Sequence, residues 1–216
     1  MFRSTAKRLL QKSIPKRTER FAAHLTNEIK LESEQQLKIN FEPLKKLNFD
    51  INVQGAAVEL SKQLCENETA TVGFSINGAI PADNQLSMDE NAPDQDQEAI
   101  AVPDFVINME KKNHNQMVQY ECFFPETQVD DNMNYAVRAV LVLEKDEEAQ
   151  MNAGEPYFIN TENIDEDTYH EIVGYLFEKG FNQEFSNGMV EFATGLETDQ
   201  YIRNLKGVKD YLDAWK

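Results

Sequence analysis

Cysteine and histidine are scarce in this 216-residue chain, at two and three residues, and tryptophan occurs once. Cys65 and Cys122 allow at most one bridge, and neither sits in a Cys-x-x-Cys pair or beside a histidine. Thiol redox chemistry and a cysteine–histidine metal site therefore have little support, and both residues read as reduced, partly buried apolar side chains. His24, His114 and His170 are the only imidazole bases on offer for a nucleophile–base pair, and each has an ordinary place. His24 lies on the polar side of a helix, His114 in a polar hairpin tip (KKNHNQ), and His170 beside an apolar helical stripe. No glycine-rich turn follows a strand and opens a helix, so a phosphate cradle is absent. Long apolar runs are missing too. The most apolar stretch, Ala136–Leu143, is broken by Arg138 and falls far short of the roughly 18 residues that cross a bilayer.

Positive charge is the largest deficit: 21 Lys and Arg stand against 38 Asp and Glu, a net of −17. The imbalance is uneven. Arg3, Lys7, Arg8, Lys12, Lys16, Arg17 and Arg20 face the single acid Glu19 within the first twenty residues, a net of +6 that leaves −23 for residues 21–216. An acidic body of this size repels nucleic-acid phosphate and attracts basic protein surfaces, more weakly as salt rises. Beyond the first twenty residues no basic cluster is denser than Lys45-Lys46, Lys111-Lys112 or Lys206 with Lys209, so strong direct nucleic-acid binding is not expected. With 41% hydrophobic and 27% charged residues, the body is otherwise an ordinary globular domain.

The first segment, MFRSTAKRLLQKSIPKRTER, puts Phe2, Ala6, Leu9 and Leu10 on one helical face among bases, the composition of a mitochondrial presequence. It lacks the apolar core of a secretory signal. Arg17 and Arg20 offer processing positions, so residues 1–20 are expected to be a presequence and residues 21–216 a single mature domain. The other reading of the same residues is a basic tail for RNA or anionic lipid.

Phe21, Leu25 and Ile29 then recur every four positions, predicting an amphipathic helix over about 21–37, with Pro43 beyond its end. From Phe49 the period becomes two. Strands are expected at Phe49–Ala56, Ala57–Cys65, Ala70–Asn77, Phe105–Glu110, Met117–Phe124, Tyr135–Glu144 and Tyr157–Ile159. They follow one another too closely for helical crossovers, so they must form an antiparallel meander. Helical periodicity returns with Tyr169, Ile172, Val173, Leu176 and Phe177, preceded by Asp165, Glu166 and Asp167 and closed by Gly180. A further helix carries Phe185, Met189, Phe192 and Leu196, with Gly188 and Gly195 as expected interruptions, and another stretch carries Tyr201, Leu205, Val208 and Leu212 up to Trp215. The fold class is α+β: an N-terminal helix, seven strands, then two to three helices.

Between these elements lies a segment, 82–102, with Asp83, Asp89, Glu90, Asp94, Asp96 and Glu98 and no base. Poor in large apolar residues, it is expected to be a mobile acidic loop and the main contact for basic partners. Its carboxylates lack the EF-hand spacing and glycine, so no specific metal or other cofactor is implied, and no catalytic residue is assigned. Asn67-Glu68-Thr69 fits a glycosylation acceptor but is assigned no function.

The stretch TYHEIVGYLFEKGFNQEFSNGMVEFATGLETDQYIRNLKGVKDYL, residues 168–212, resembles the terminal helices of the mitochondrial glycoprotein family, acidic matrix proteins with animal, yeast and trypanosomatid members. RFAAHLTNEIKLE (20–32) is similar to the family's opening helix, TVGFSINGAIP (71–81) to its third strand, and PDFVINMEKKNHNQMVQYECFFPE (103–126) to its central hairpin. The specificity lies in the order of these pieces and the place of the acidic loop. The resemblance implies a twisted seven-stranded antiparallel sheet flanked by helices, a doughnut-shaped homotrimer in the mitochondrial matrix, and no enzyme activity. It implies a chaperone-like binding role in mitochondrial ribosome biogenesis, translation and oxidative phosphorylation, or alternatively an accessory role in RNA processing or editing. The second acidic loop, Glu144–Ala153, is shorter than in animal members, which sets extracellular ligand binding apart from what carries over. Protomers of like charge must be held together by apolar contacts, for which Phe185, Phe192, Tyr201 and Trp215 are candidates; the same aromatics also suit the core of one chain.

Overall fold

The strands follow one another through a computed structural model as the periodicity requires. It describes residues 15–78, 80–81, 100–125, 134–146, 151 and 154–214. Seven strands, β1 (Asp50–Gln54), β2 (Ala57–Cys65), β3 (Glu68–Ser75), β6 (Phe105–Lys111), β7 (Gln116–Phe123), β8 (Ala136–Glu144) and β9 (Phe158–Asn160), pair in that order, each antiparallel to the last. Register is set by alternation. Along β3 the residues Ala70, Val72 and Phe74 are buried while Thr69, Thr71 and Gly73 between them are only half-buried, and a slip of one residue would exchange the two faces. Two short strands that alternation alone does not reveal, β4 (Ile80–Pro81) and β5 (Ala101–Val102), form a separate two-stranded ribbon. Ala101 and Val102 thus belong to a strand rather than to the expected loop.

Among the described residues four α-helices accompany the strands: α1 (Pro15–Gln35), α2 (Glu42–Lys46), α3 (Glu166–Glu178) and α4 (Gln183–Asp213). The acidic start of α3 is a cap, with Asp165 Oδ1 accepting from the Thr168 amide at 2.9 Å. Its end is a Schellman closure: the Phe181 amide donates to the Leu176 carbonyl at 3.0 Å and the Gly180 amide to Phe177 at 2.9 Å, with Gly180 at φ +88°. Asn182 Oδ1 then accepts from the Phe185 amide at 3.1 Å and opens α4.

Against expectation, α4 is one helix of 31 residues and not two. Gly188 does not break it, because a Cβ at that position would lie 3.0 Å from Pro43 Cβ. The missing side chain lets α2 approach the α4 backbone, and packing of Leu44 there outweighs the propensity cost of about 1 kcal/mol for a helical glycine. Pro43 stands at the first turn of α2, where its missing amide costs nothing, rather than as a stop after α1. The helix α1 starts six residues before the expected mature start at Phe21.

The chain divides into two compact units. The larger, Ile39–Glu197, contains the sheet, α2, α3 and the first half of α4. Its core is rich in aromatic rings. Phe185 meets Phe181 edge-on at 5.1 Å, Phe49 at 5.3 Å and Phe105 at 6.1 Å, and Phe105 meets Tyr135 at 5.1 Å. Each fully buried ring contributes on the order of 2–3 kcal/mol of transfer free energy. The smaller unit combines α1 with the second half of α4, where Ala22, Leu25 and Ile202 are buried and Gln36 Nε2 donates to Asp199 Oδ1 at 3.4 Å. No helix among the described residues is long and apolar enough to cross a membrane.

Candidate protein-binding surface

A meander sorts its connections by sheet end. The end of β3, the start of β6, the end of β7 and the start of β8 lie together, since Phe74 pairs with Phe105, Phe105 with Cys122, and Cys122 with Val137. Two acidic stretches attach to the chain at this one end. Residues 82–99 hold all six predicted partner-binding acids, Asp83, Asp89, Glu90, Asp94, Asp96 and Glu98, and lie outside the described residues; residues 126–133, with Glu126, Asp130 and Asp131, do so as well. Neither stretch contains a base.

The described residues that flank these stretches are firmly held. Ile80 pairs with Val102 and Pro81 with Ala101. The buried Ala101 amide donates to Thr194 Oγ1 at 3.0 Å, and Thr194 Oγ1 donates in turn to the Val190 carbonyl at 2.8 Å. Asn134 Nδ2 donates to Asn187 Oδ1 at 2.7 Å and Asn134 Oδ1 accepts from Gln183 Nε2 at 3.1 Å. Residues that flank each stretch, Ala101 and Asn134, are thereby bonded to the first half of α4. Beside Asn134, the buried Tyr135 hydroxyl donates to the Phe181 carbonyl at 2.7 Å, and burial pushes its ionisation far above the ordinary phenol range.

Bases gather at the opposite sheet end. Lys111 and Lys112 sit at the β6–β7 hairpin, and Lys145 lies 3.5 Å from Glu110 while donating to the Lys111 carbonyl at 2.6 Å. Close by, Glu68 is 5% exposed at the start of β3, where its carboxylate accepts from the Lys179 ammonium and from the Tyr175 hydroxyl at 3.1 Å. The hydrogen bond from Lys179 holds the Glu68 carboxyl below the usual carboxylate range, and the same bond raises the Lys179 ammonium. Burial raises the Tyr175 phenol, and pushes that of Tyr120 up to about 12. Nothing in the sequence marked Glu68 except a parity argument: it falls on the inward side of β3, in step with Ala70 and Val72.

The candidate trimer contacts separate. Phe185 and Phe192 are fully buried in the core of one chain, Phe192 against Phe41 at 5.3 Å, so their rings cannot meet a partner subunit and this role is corrected for both. Tyr201 is 40% exposed on α4, and Trp215 lies outside the described residues. The cysteines are also unlike. Cys122 is buried as expected, whereas Cys65, past a register shift at the end of β2, is exposed. His24, His114 and His170 are exposed, and no group of three His, Cys, Asp or Glu residues among the described residues could hold a metal ion.

The mitochondrial glycoprotein family matches residues 25–212. The complement component 1 Q subcomponent-binding protein, mitochondrial, of Bos taurus is 26% identical over 205 residues, spanning 90% of this chain and 72% of its own length. The Homo sapiens protein of that name is 25% identical over 204 residues, spanning 90% and 71%. Among solved structures, a Leishmania major hypothetical protein described as a sequence homologue of human p32 superposes with a TM-score of 0.65 at 14% identity, over 90% of this chain and 98% of that one. The Trypanosoma brucei p22 protein superposes with a TM-score of 0.60, also at 14% identity and over the same shares. These two likenesses concern the fold alone.

Proposed function

The chain belongs to the mitochondrial glycoprotein family, and from that premise we propose that it is a non-catalytic, chaperone-like acidic protein of the mitochondrial matrix. It binds basic proteins, those of ribosome biogenesis and translation foremost, and so supports oxidative phosphorylation. The observation that carries this reading is the attachment of two base-free acidic stretches to one end of the sheet, where the flanking residues Ala101 and Asn134 bond to α4. Carboxylates concentrated on one side steer cationic partners and accelerate encounter more than they tighten the final complex. The relatives named for binding another protein are consistent with a role in protein binding.

Residues 1–20 serve import and are removed on this reading; intact-mass spectrometry of protein from its own organelle should find a chain that starts near Phe21. The working form is a homotrimer. Exposed apolar side chains on α1 and α4, among them Phe21, Leu31, Tyr201, Val208 and Tyr211, supply the contacts that overcome like-charge repulsion.

The decisive experiment replaces Asp89, Glu90, Asp94, Asp96 and Glu98 with their amides, removing five negative charges per chain. Association with a basic ribosomal protein should slow, and added salt should reproduce the effect in the parent, since at about 0.15 M salt the Debye length is roughly 8 Å. Equal affinities of parent and variant at low salt would move the binding surface elsewhere.

A further inference from the structure

Among the described residues the last strand of the meander has one partner. Phe158 pairs with Leu141, Ile159 with Val140 and Asn160 with Ala139 of β8, and no described strand pairs with the other side of β9. In an antiparallel edge strand, alternate residues turn their N–H and C=O away from the sheet, ready to accept a further strand. Side chains around this edge are apolar and open to solvent: Tyr157 is 86% exposed, Phe158 52%, Ile159 43%, and Val142 on β8 52%. Natural edges are usually protected by charge directed along the strand, but Tyr157–Asn160 carries none.

The sequence on either side of the edge strand is strongly acidic. Residues 144–167 contain nine Asp and Glu against the single base Lys145, whose ammonium is 3.5 Å from Glu110. Glu155 and Glu162 bracket the strand and are both exposed. Arg138 on β8, the other nearby base, is paired with Asp104 at 3.3 Å and stacks over the Phe123 ring at 4.7 Å.

We infer that the free edge of β9 is a docking strand for an extended segment of the protein partner in which apolar residues alternate with lysine or arginine. Main-chain hydrogen bonds to β9 supply affinity that is independent of partner sequence, Phe158 and Ile159 take the partner's apolar side chains on the two faces, and Glu155 and Glu162 meet its bases. A second copy of this chain is disfavoured as the occupant, because it would bring the same carboxylates against themselves. The inference rests on the reading of the chain as a binder of basic proteins, and it names where on the fold the bound segment lies.

The probe is a short, capped, fluorescent peptide of alternating lysine and valine, titrated into the intact chain at low ionic strength. Its companion has the same charge but alternate backbone nitrogens methylated, which removes the donors on one edge. Methylation should weaken binding about tenfold, and Phe158→Lys with Ile159→Lys by at least as much. Tyr157→Lys, at a site so exposed that folding is insensitive to it, should weaken binding by a few-fold. Peptide binding should slow amide exchange at residues 157–160. Binding that ignores both methylation and the edge variants would overturn the docking strand while leaving basic-protein binding intact. A fall in assembly mass for the Phe158→Lys variant would overturn it differently, by giving the edge to a second copy. No binding of either peptide at low salt would overturn the docking strand and the functional reading together.

Discussion

Lys179, the residue that caps the C-terminus of α3, donates its ammonium to the buried carboxylate of Glu68 at the first position of β3. One ion pair thus fastens a helix end to a strand end 111 residues away in the chain. Lysine near a helix C-terminus also meets the negative end of the helix dipole, so this position suits a cation twice over.

Removing one partner leaves the other charge buried. Lys179→Met should destabilise the chain by about 2–4 kcal/mol at neutral pH, because Glu68 keeps only the Tyr175 hydrogen bond. Glu68→Gln should cost less, about 1–2 kcal/mol, since its amide oxygen still accepts from Tyr175. The pH dependence has a definite sign. The folded-state pKa of Glu68 lies below its ordinary value of 4.5, so the pair's contribution is fully present above that pH and is lost as pH falls through the lower, folded value. Urea midpoints should therefore separate parent and Lys179→Met fully at pH 6–8 and converge in acid; a constant gap down to pH 3 would refute the ionic account.

Gly188 and Gly174 make opposite predictions from the same substitution. A methyl group at Gly188 would press on the Pro43 ring carbon at 3.0 Å, and a proline ring inside a helical turn cannot yield far, so Gly188→Ala should destabilise by about 1 kcal/mol in spite of its better helix propensity. At Gly174, inside α3, nothing lies within 4 Å, and Gly174→Ala should stabilise by roughly 0.5–1 kcal/mol. Thermal melts of the two variants decide both, and gains at both positions would show that α2 adjusts freely.

Burial separates the aromatics into two experimental classes. Phe185→Ala should cost about 3–5 kcal/mol, read in denaturant, because it empties a site shared by Phe49, Phe105 and Phe181. On the proposed trimer, with Tyr201 40% exposed on α4, Tyr201→Ser should shift the mass measured by light scattering from three times that of one chain toward a single chain. A Tyr201→Ser protein that keeps the parent's mass at micromolar concentration would take that side chain out of the assembly.

Period-two alternation is a local signal, and it placed all seven strands of the main sheet within a few residues of where they lie; the shortness of the connections then left the antiparallel meander as the order. What alternation could not reveal is set by distant partners. The ribbon of β4 and β5 consists of two residues on each side, too short for any period, and exists because Ala101 finds Thr194 in a helix far along the chain. The continuity of α4 through Gly188 is likewise a tertiary effect, invisible without Pro43 opposite. At the candidate surface, composition marked the acidic stretch at once, but its shared sheet end with residues 126–133 follows only from strand pairing. The exposed edge of β9 was implicit in the meander, since the last strand of an open sheet must be an edge, and Tyr157-Phe158-Ile159 is apolar on both parities.

Thr194 links α4 to the stem of the acidic stretch, and its hydroxyl both accepts from the Ala101 amide and donates to the Val190 carbonyl. Valine has nearly the same shape and lacks the oxygen. Thr194→Val should therefore leave the Ala101 N–H buried without its acceptor, at a cost of about 1–3 kcal/mol, whereas the Val190 carbonyl keeps its helical role. The loss is local. Amide exchange at Ala101 should accelerate by at least about tenfold while the amides of β6 and β7 retain their protection. If the anchored stem is what holds the carboxylates toward one side, association with a basic partner should also slow in this variant, although no charge has changed. Unaltered association together with faster exchange at Ala101 would show that the stem serves stability alone.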